Sequence, residues 1–260
     1  MKHPAGQAGG AGPAPDVVRA LFPSDRMDEV ERYGELLATD GVVRGLIGPR
    51  EVPRLWERHV VNCALLATAL PRDAGIADIG SGAGLPGLVV ALARPDLRVT
   101  LVEPLLRRTT FLEEAVAALG LDNVVVRRDR ADALHGRETF DVVTARAVAP
   151  LERLLGWCMP LVTPHGALVA MKGDSAEDEI AAARPELERL GCAEPVIEVI
   201  AAPPSDPLPP AATDSEVVPQ TRVVRVTWGD PARVSLPTSG GRGSSRASQS
   251  RSSRRKRSGS

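Results

Sequence analysis

The chain has 260 residues, 43% of them hydrophobic, and a formal net charge of −1. That supports a real core in one large or two small domains, and no window approaches the roughly 20 apolar residues of a membrane span. The start, MKHPAGQAGG, lacks the apolar stretch of a secretory signal, and the three cysteines, odd in number and far apart, fit neither a disulfide framework nor a metal site. Buried thiols in a reducing cytoplasm are the simplest reading.

In chain order, residues 1–15 are rich in Gly, Ala and Pro and are expected to be disordered. Residues 16–72 read as a helical extension. Val17–Phe22 is a short amphipathic turn. Met27 to about Leu46 carries apolar residues at helical intervals (Val30, Tyr33, Leu36, Leu37), although Gly34 and Gly41 interrupt it. Pro53 suits the first turn of a third helix, and Pro71 stops it after Leu70.

From Gly75 the rhythm becomes strand and helix in alternation. Strands are predicted at Ile76–Ile79, Val99–Val102, Val124–Arg127, Val142–Thr144, Ala167–Met171, Val196–Ile200 and Arg222–Thr227. Helices are predicted at Pro86–Ala93, Leu105–Leu119, Leu151–Met159 and Ala176–Leu190. Repeated crossovers imply a mainly parallel α/β sheet with both faces covered. The last two strands are joined only by a Pro-rich stretch, Pro203 to Pro219, which favours an antiparallel pair at one edge. Seven strands ending this way fit a Rossmann-like class I methyltransferase domain, residues 73–235, better than a plain dinucleotide fold. Residues 236–260 form a Ser- and Gly-rich tail with seven basic residues and no acid. It is expected to be disordered and could add sequence-independent affinity for RNA. Without the tail's seven positive charges the body stands at −8.

The most informative segment is Asp78 to Gly87, DIGSGAGLPG, lying between a strand and a helix. Gly80, Gly82 and Gly84 permit backbone angles closed to other residues and let a ligand approach the main chain. Position 85, where a dinucleotide fingerprint would want its third glycine, is Leu85. The acid ahead of the loop, Asp78, suits a cationic aminoalkyl sulfonium, which points to S-adenosylmethionine. Glu103, at the next strand end, offers two acceptor oxygens for ribose hydroxyls. Ala131 and Asp132, in DRAD after the third strand, are placed to read adenine. Arg146 ends the fourth strand and Lys172 the fifth. Two cations at adjacent strand tips suit a phosphate-bearing substrate, and are the candidate catalytic residues. Pairing with an acid such as Asp78 or Asp141 is the competing use of either. Arg58, His59 and Asn62 share one helix face, where His59 is more readily a packed or hydrogen-bonded histidine than a catalyst.

Several ordered motifs carry a family resemblance: ERHVVNC (57–63), DIGSGAGLPG, ARPD (93–96), RRTTFLEE (107–114), DRAD, TARAVAPL and MKGDSAEDEI (171–180). With them the chain resembles the small-subunit ribosomal RNA methyltransferases of the RsmG (GidB) family from about Arg54 to Trp228. The resemblance implies methyl transfer from S-adenosylmethionine to N7 of one guanine in the 530 loop of 16S rRNA, on free RNA or the 30S subunit. It also implies cofactor contacts at Gly80 and Leu85, adenine held by Ala131 and Asp132, and Arg146 closing the site. RNA contacts are expected from Arg58, His59, Arg107 and Lys172. A cytoplasmic monomer without metal or membrane is expected. Asn62 and Cys63 depart from the family's usual Asp and Ser, and ATDGVVRGLIG replaces its aromatic, Asn-rich turn. A nicotinamide-dependent oxidoreductase and a non-catalytic RNA-docking module are the alternatives.

Overall fold

The structure, a computed structural model, describes residues 10–202 and 218–234. The basic tail and most of the Pro-rich connection lie outside the described residues. So do residues 1–9 of the expected disordered leader. Of residues 10–15, Gly10, Gly12, Pro13 and Pro15 are exposed, while Ala11 and Ala14 touch the folded body. Ala14 is buried, and the Ala11 carbonyl accepts a hydrogen bond from the Trp56 indole at 2.9 Å.

Seven strands form one sheet: β1 (Gly75–Ile79), β2 (Arg98–Val102), β3 (Val124–Arg127), β4 (Phe140–Arg146), β5 (Val162–Met171), β6 (Val196–Ala201) and β7 (Gln220–Val226). Their order is β3-β2-β1-β4-β5-β7-β6. The pairs among β1 to β5 are parallel, and β7 runs antiparallel to both neighbours. The order in which strands are added reverses between β1 and β4. That is the switch point beyond whose strand ends ligands of open α/β sheets bind.

Side chains alternate across each strand, so each sheet face needs its own cover. Ile76 and Val142 belong to a core shared with α1 (Asp16–Arg19), α2 (Met27–Leu36), α3 (Asn62–Thr68), α4 (Gly87–Ala93) and α5 (Leu106–Leu119). Ala77, Ile79, Val143 and Ala145 face a second core with α6 (Ala131–Leu134), α7 (Leu151–Cys158) and α8 (Ala176–Leu190). Every residue of α4 is buried. A crossover helix normally keeps one wet face; α4 does not, because the N-terminal helices cover its far side. Its continuous apolar run, GLVVALA, follows from that.

The expected helix from Met27 to Leu46 ends its regular part at Leu36 and continues as a π turn, Leu37–Gly41. The third helix likewise opens with a π turn, Trp56–Val61, before α3. Gly34 has a packing reason. A Cβ there would lie 2.5 Å from the Trp56 ring, so the glycine lets that indole lie on α2. Among the described residues, no helix is long and apolar enough to cross a membrane.

Candidate active site

The loop between β1 and α4 is held from several sides. Gly80, Gly82 and Gly84 all have positive φ, the region glycine alone enters freely. Their surroundings differ. A Cβ on Gly84 would lie 2.4 Å from Leu88, and one on Gly80 would lie 2.7 Å from Val148. A Cβ on Gly82 would meet nothing nearer than the Gly80 carbonyl at 3.8 Å. Gly82 therefore leaves open space above the bend rather than serving internal packing. Gly87 does what the missing glycine at 85 would do. A Cβ there would fall 2.3 Å from Leu101 and 2.7 Å from Asp78 Oδ2, so only glycine lets α4 sit this close to β1 and β2.

Two buried acids pin this loop. Asp78 is wholly buried on the sheet face below it, and its Oδ2 accepts the Gly87 N–H at 3.0 Å. Its Oδ1 is buried with no partner, and burial pushes the carboxyl up to about 7. Asp78 thus supports the loop from beneath; its carboxylate does not open into either cleft described below. Glu103 is also buried, and it accepts the Gly82 N–H at 3.1 Å and the Leu105 N–H at 3.0 Å. The Arg108 guanidinium donates to it as well, at 3.4 Å, and Glu103 itself lines neither cleft; it lies between Val102 and Pro104, which line the first. The extension supplies a third tie: the Tyr33 hydroxyl, buried in α2, donates to the Ala83 carbonyl at 2.8 Å. Tyr33 is the only tyrosine in the chain.

Two clefts open at the strand ends. The first, about 260 Å³, is lined by Gly80, Val102, Pro104, Ala131, Asp132 and Trp157, among others. Asp132 is exposed, and the Arg130 guanidinium holds its carboxyl below the usual range. Arg153 lies over the Trp157 ring at 5.0 Å, closing one wall. The second cleft, about 620 Å³, gathers Glu51, Arg58, His59, Asn62, Arg146 and Lys172. Val148 lines both clefts. Leu85 is buried and lines neither, and Arg107 is exposed on α5 outside both.

Arg146 is fixed by groups far away in sequence. Its guanidinium donates to Cys63 Sγ at 3.1 Å and to His59 Nδ1. Because guanidinium cannot accept, His59 must present a bare Nδ1 and carry its proton on Nε2. That N–H meets Glu51 Oε2 at 3.0 Å. Burial, then the Arg146 charge, lowers the imidazole pKa, in keeping with a neutral ring. His59 is thus a hydrogen-bonded link from Glu51 to Arg146. Cys63 is fully buried, and burial raises its thiol to about 11. Lys172 is placed differently from the free cation expected. Its side chain is 9% exposed, and its ammonium donates to the Ala149 carbonyl at 2.8 Å and to Glu179 Oε2 at 2.6 Å. The predicted pairing with an acid is present, but the acid is Glu179 rather than Asp78 or Asp141.

Sequence reading did not single out Tyr33, Glu51, Gly87, Val148, Trp157 or Glu179 for these positions. Two carried a signal: Tyr33 as the lone tyrosine on an apolar stripe, and Gly87 as a glycine opening a helix. Glu51 and Val148 carried none, because their importance comes from chain segments meeting in space.

The reversed seventh strand, the switch point and the glycine bend beside a two-part cleft define a Rossmann-like class I methyltransferase. A family model for rRNA small subunit methyltransferase G matches residues 26–203. A ribosomal RNA small subunit methyltransferase G from Nocardioides sp. is 63% identical over 223 residues, covering 86% of this chain and 84% of that one. Its namesake from Streptomyces avermitilis is 53% identical over 197 residues, covering 75% and 82%. A third, from Thermobifida fusca, is 58% identical over 174 residues, covering 67% and 73%. The chain belongs to the rRNA small subunit methyltransferase G family.

The residues present fit S-adenosylmethionine. The bend at Gly82 leaves room for a ligand against bare main chain, and the first cleft runs from Gly80 to Ala131 and Asp132. Glu103 holds the bend from beneath through the Gly82 N–H, beside the cleft wall formed by Val102 and Pro104.

Proposed function

We propose that the protein transfers a methyl group from S-adenosylmethionine to N7 of a guanine in the 530 loop of 16S ribosomal RNA. The single observation that carries this reading is the meeting of two clefts at Val148, beside Gly80. The first, with Ala131 and Asp132 in its wall, would take the adenosyl group, and the second is lined with polar and basic side chains.

Ala131 and Asp132 would hold the adenine, Glu103 the ribose, and the Gly80–Gly84 bend the chain running to the sulfonium. When bound, the cofactor supplies an electrophilic methyl group. Guanine N7 attacks with a lone pair and has no proton to lose, so no side chain has to act as a base. The work left to the protein is positioning and exclusion of water, which can supply on the order of 7–11 kcal/mol. Arg146, immobilised by His59 and Cys63, faces the second cleft with donors left over for the guanine O6 edge or a phosphate. Arg58 is half-exposed at the same cleft and, with His59 and the exposed Arg107, is assigned to RNA contact. The target guanine has to leave its stack to enter, at a cost of a few kcal/mol that is smaller in a loop than in a duplex.

In this reading residues 16–72 are an extension that braces the glycine loop, 73–235 the methyltransferase domain, and 236–260 a basic tail adding nonspecific affinity for RNA. The protein acts as a monomer in the cytoplasm. The test is incubation with labelled S-adenosylmethionine and either deproteinised 16S rRNA or 30S particles. Label on one guanine in either substrate supports the reading, and silence on both favours a non-catalytic docking module.

A further inference from the structure

The four residues between β4 and α7, Ala147 to Pro150, carry Val148, the side chain common to both clefts. Val148 lies directly over Gly80, close enough that a Cβ on that glycine would be 2.7 Å from it. Ala147 has φ +54°, a left-handed conformation that crowds the Cβ of an L-residue against its own backbone. Such a conformation persists only where neighbouring contacts over-determine it.

Those contacts converge on two side chains. Lys172, at the tip of β5, donates from one ammonium to the Ala149 carbonyl and to Glu179. Glu179, on α8, accepts in addition the Leu151 N–H at 2.8 Å and the Ser175 hydroxyl at 3.1 Å. The Leu151 N–H is one of the free donors at the start of α7. The pair thus ties β5 and α8 to both ends of the segment that follows Val148. Burial alone would raise the Glu179 carboxyl, but the Lys172 ammonium and the Leu151 and Ser175 donors outweigh it and hold the group ionised.

We propose that Lys172 and Glu179 are a positioning pair: together they hold the strained 147–150 turn so that Val148 sets the wall between cofactor and target base. Neither needs to touch the RNA. This rests on the methyl-transfer reading above and adds to it the device that aligns the two reactants. A misplacement of about 1 Å in such a wall is enough to cost on the order of 100-fold in rate.

The experiment uses the full chain and compares Lys172→Met, Glu179→Gln and the double variant, with Lys172→Arg as a conservative rescue. Glu179→Gln keeps an acceptor for the Leu151 N–H, so it guards against loss of folding. Each variant is checked for folding by circular dichroism. The readouts are kcat, KM for the RNA, Kd for S-adenosylmethionine, and hydrogen exchange of the amides at 148, 149 and 151. Either single variant is expected to lower kcat by roughly tenfold or more and to speed exchange at those amides. RNA KM and cofactor Kd should stay within about twofold, the double variant should be no worse than the poorer single one, and Lys172→Arg should recover part of the rate. A raised RNA KM in Lys172→Met with a normal Glu179→Gln would overturn the proposal and make Lys172 an RNA ligand. Losses that multiply in the double variant, or exchange unchanged in both singles, would also overturn it. If the wild-type protein transfers no methyl group, the functional reading fails instead, and the exchange data still decide whether the pair holds the turn.

Discussion

Gly82→Ala separates the loop's use as a ligand cradle from its use as packing. The new methyl would meet no protein atom nearer than 3.8 Å, so the fold loses only the cost of an L-residue at φ +57°. That is about 1–2 kcal/mol, and for a domain of this size each kcal/mol lowers Tm by roughly 2–4 °C. The variant should therefore fold and melt roughly 2–8 °C lower. The same methyl occupies the space above the bend, where the cofactor is placed. Forcing a methyl into a fitted contact costs about 1–3 kcal/mol, or roughly 5- to 150-fold in Kd. The assay pairs thermal melting with calorimetric titration of S-adenosylmethionine. Gly84→Ala is the control: its methyl would strike Leu88 at 2.4 Å, so its main effect should be on folding. If Gly82→Ala bound the cofactor within twofold of wild type while showing the modest melting loss, the cofactor could not lie across this bend.

Further expectations concern the supports of the site. Tyr33→Phe leaves the Ala83 carbonyl without its partner at a buried position, a loss of about 1–3 kcal/mol; Tm should fall and cofactor Kd should rise, and an unchanged Kd would mean the extension does not brace the loop. Arg146→Ala should abolish most methyl transfer and lower Tm by only a few degrees, with about 1–3 kcal/mol lost at its buried partners; a collapse of the fold with no separable loss of rate would mark the residue as structural. Asp78 has its native pKa raised to about 7, so between the ordinary carboxylate range and neutrality the folded chain binds a proton that the unfolded chain does not. Its contribution to stability is therefore greatest at the acid end of that window and is lost as pH rises through 7. Melting of Asp78→Asn against wild type at pH 5.5 and 8.5 checks this: the variant should gain relative to wild type at the higher pH, and an unchanged gap would contradict the shift.

The sheet was legible because its strands are short apolar runs bounded by turn residues, and a Pro-rich sequence joins the two final strands. β5 begins earlier than the apolar run suggests, at Val162, since Thr163 and His165 are half-buried or exposed and hide the start. α6 is four residues long and left no periodic pattern to read. The π turns at 37–41 and 56–61 leave no local mark in the sequence. Within the site, Ala131, Asp132, Arg58, His59, Arg146 and Lys172 were found from strand ends and motifs, and each lines one of the two clefts. Their couplings were not legible. Arg146 and His59 are 87 residues apart, and nothing in either segment names the other. Lys172 and Glu179 are seven apart, but on a strand tip and the helix that follows, so helical spacing gives no hint of their contact. Leu85 shows the reverse: a conspicuous position in the motif, yet a buried side chain that lines neither cleft.

The most direct measurement is a nucleotide-resolution map of 7-methylguanine in 16S rRNA from cells lacking this protein and from the same cells with it restored. The account requires one 7-methylguanine in the 530 loop that disappears with the protein and returns with it, but not with Arg146→Ala. An unaltered map, or a methyl group missing from any other site, would contradict it.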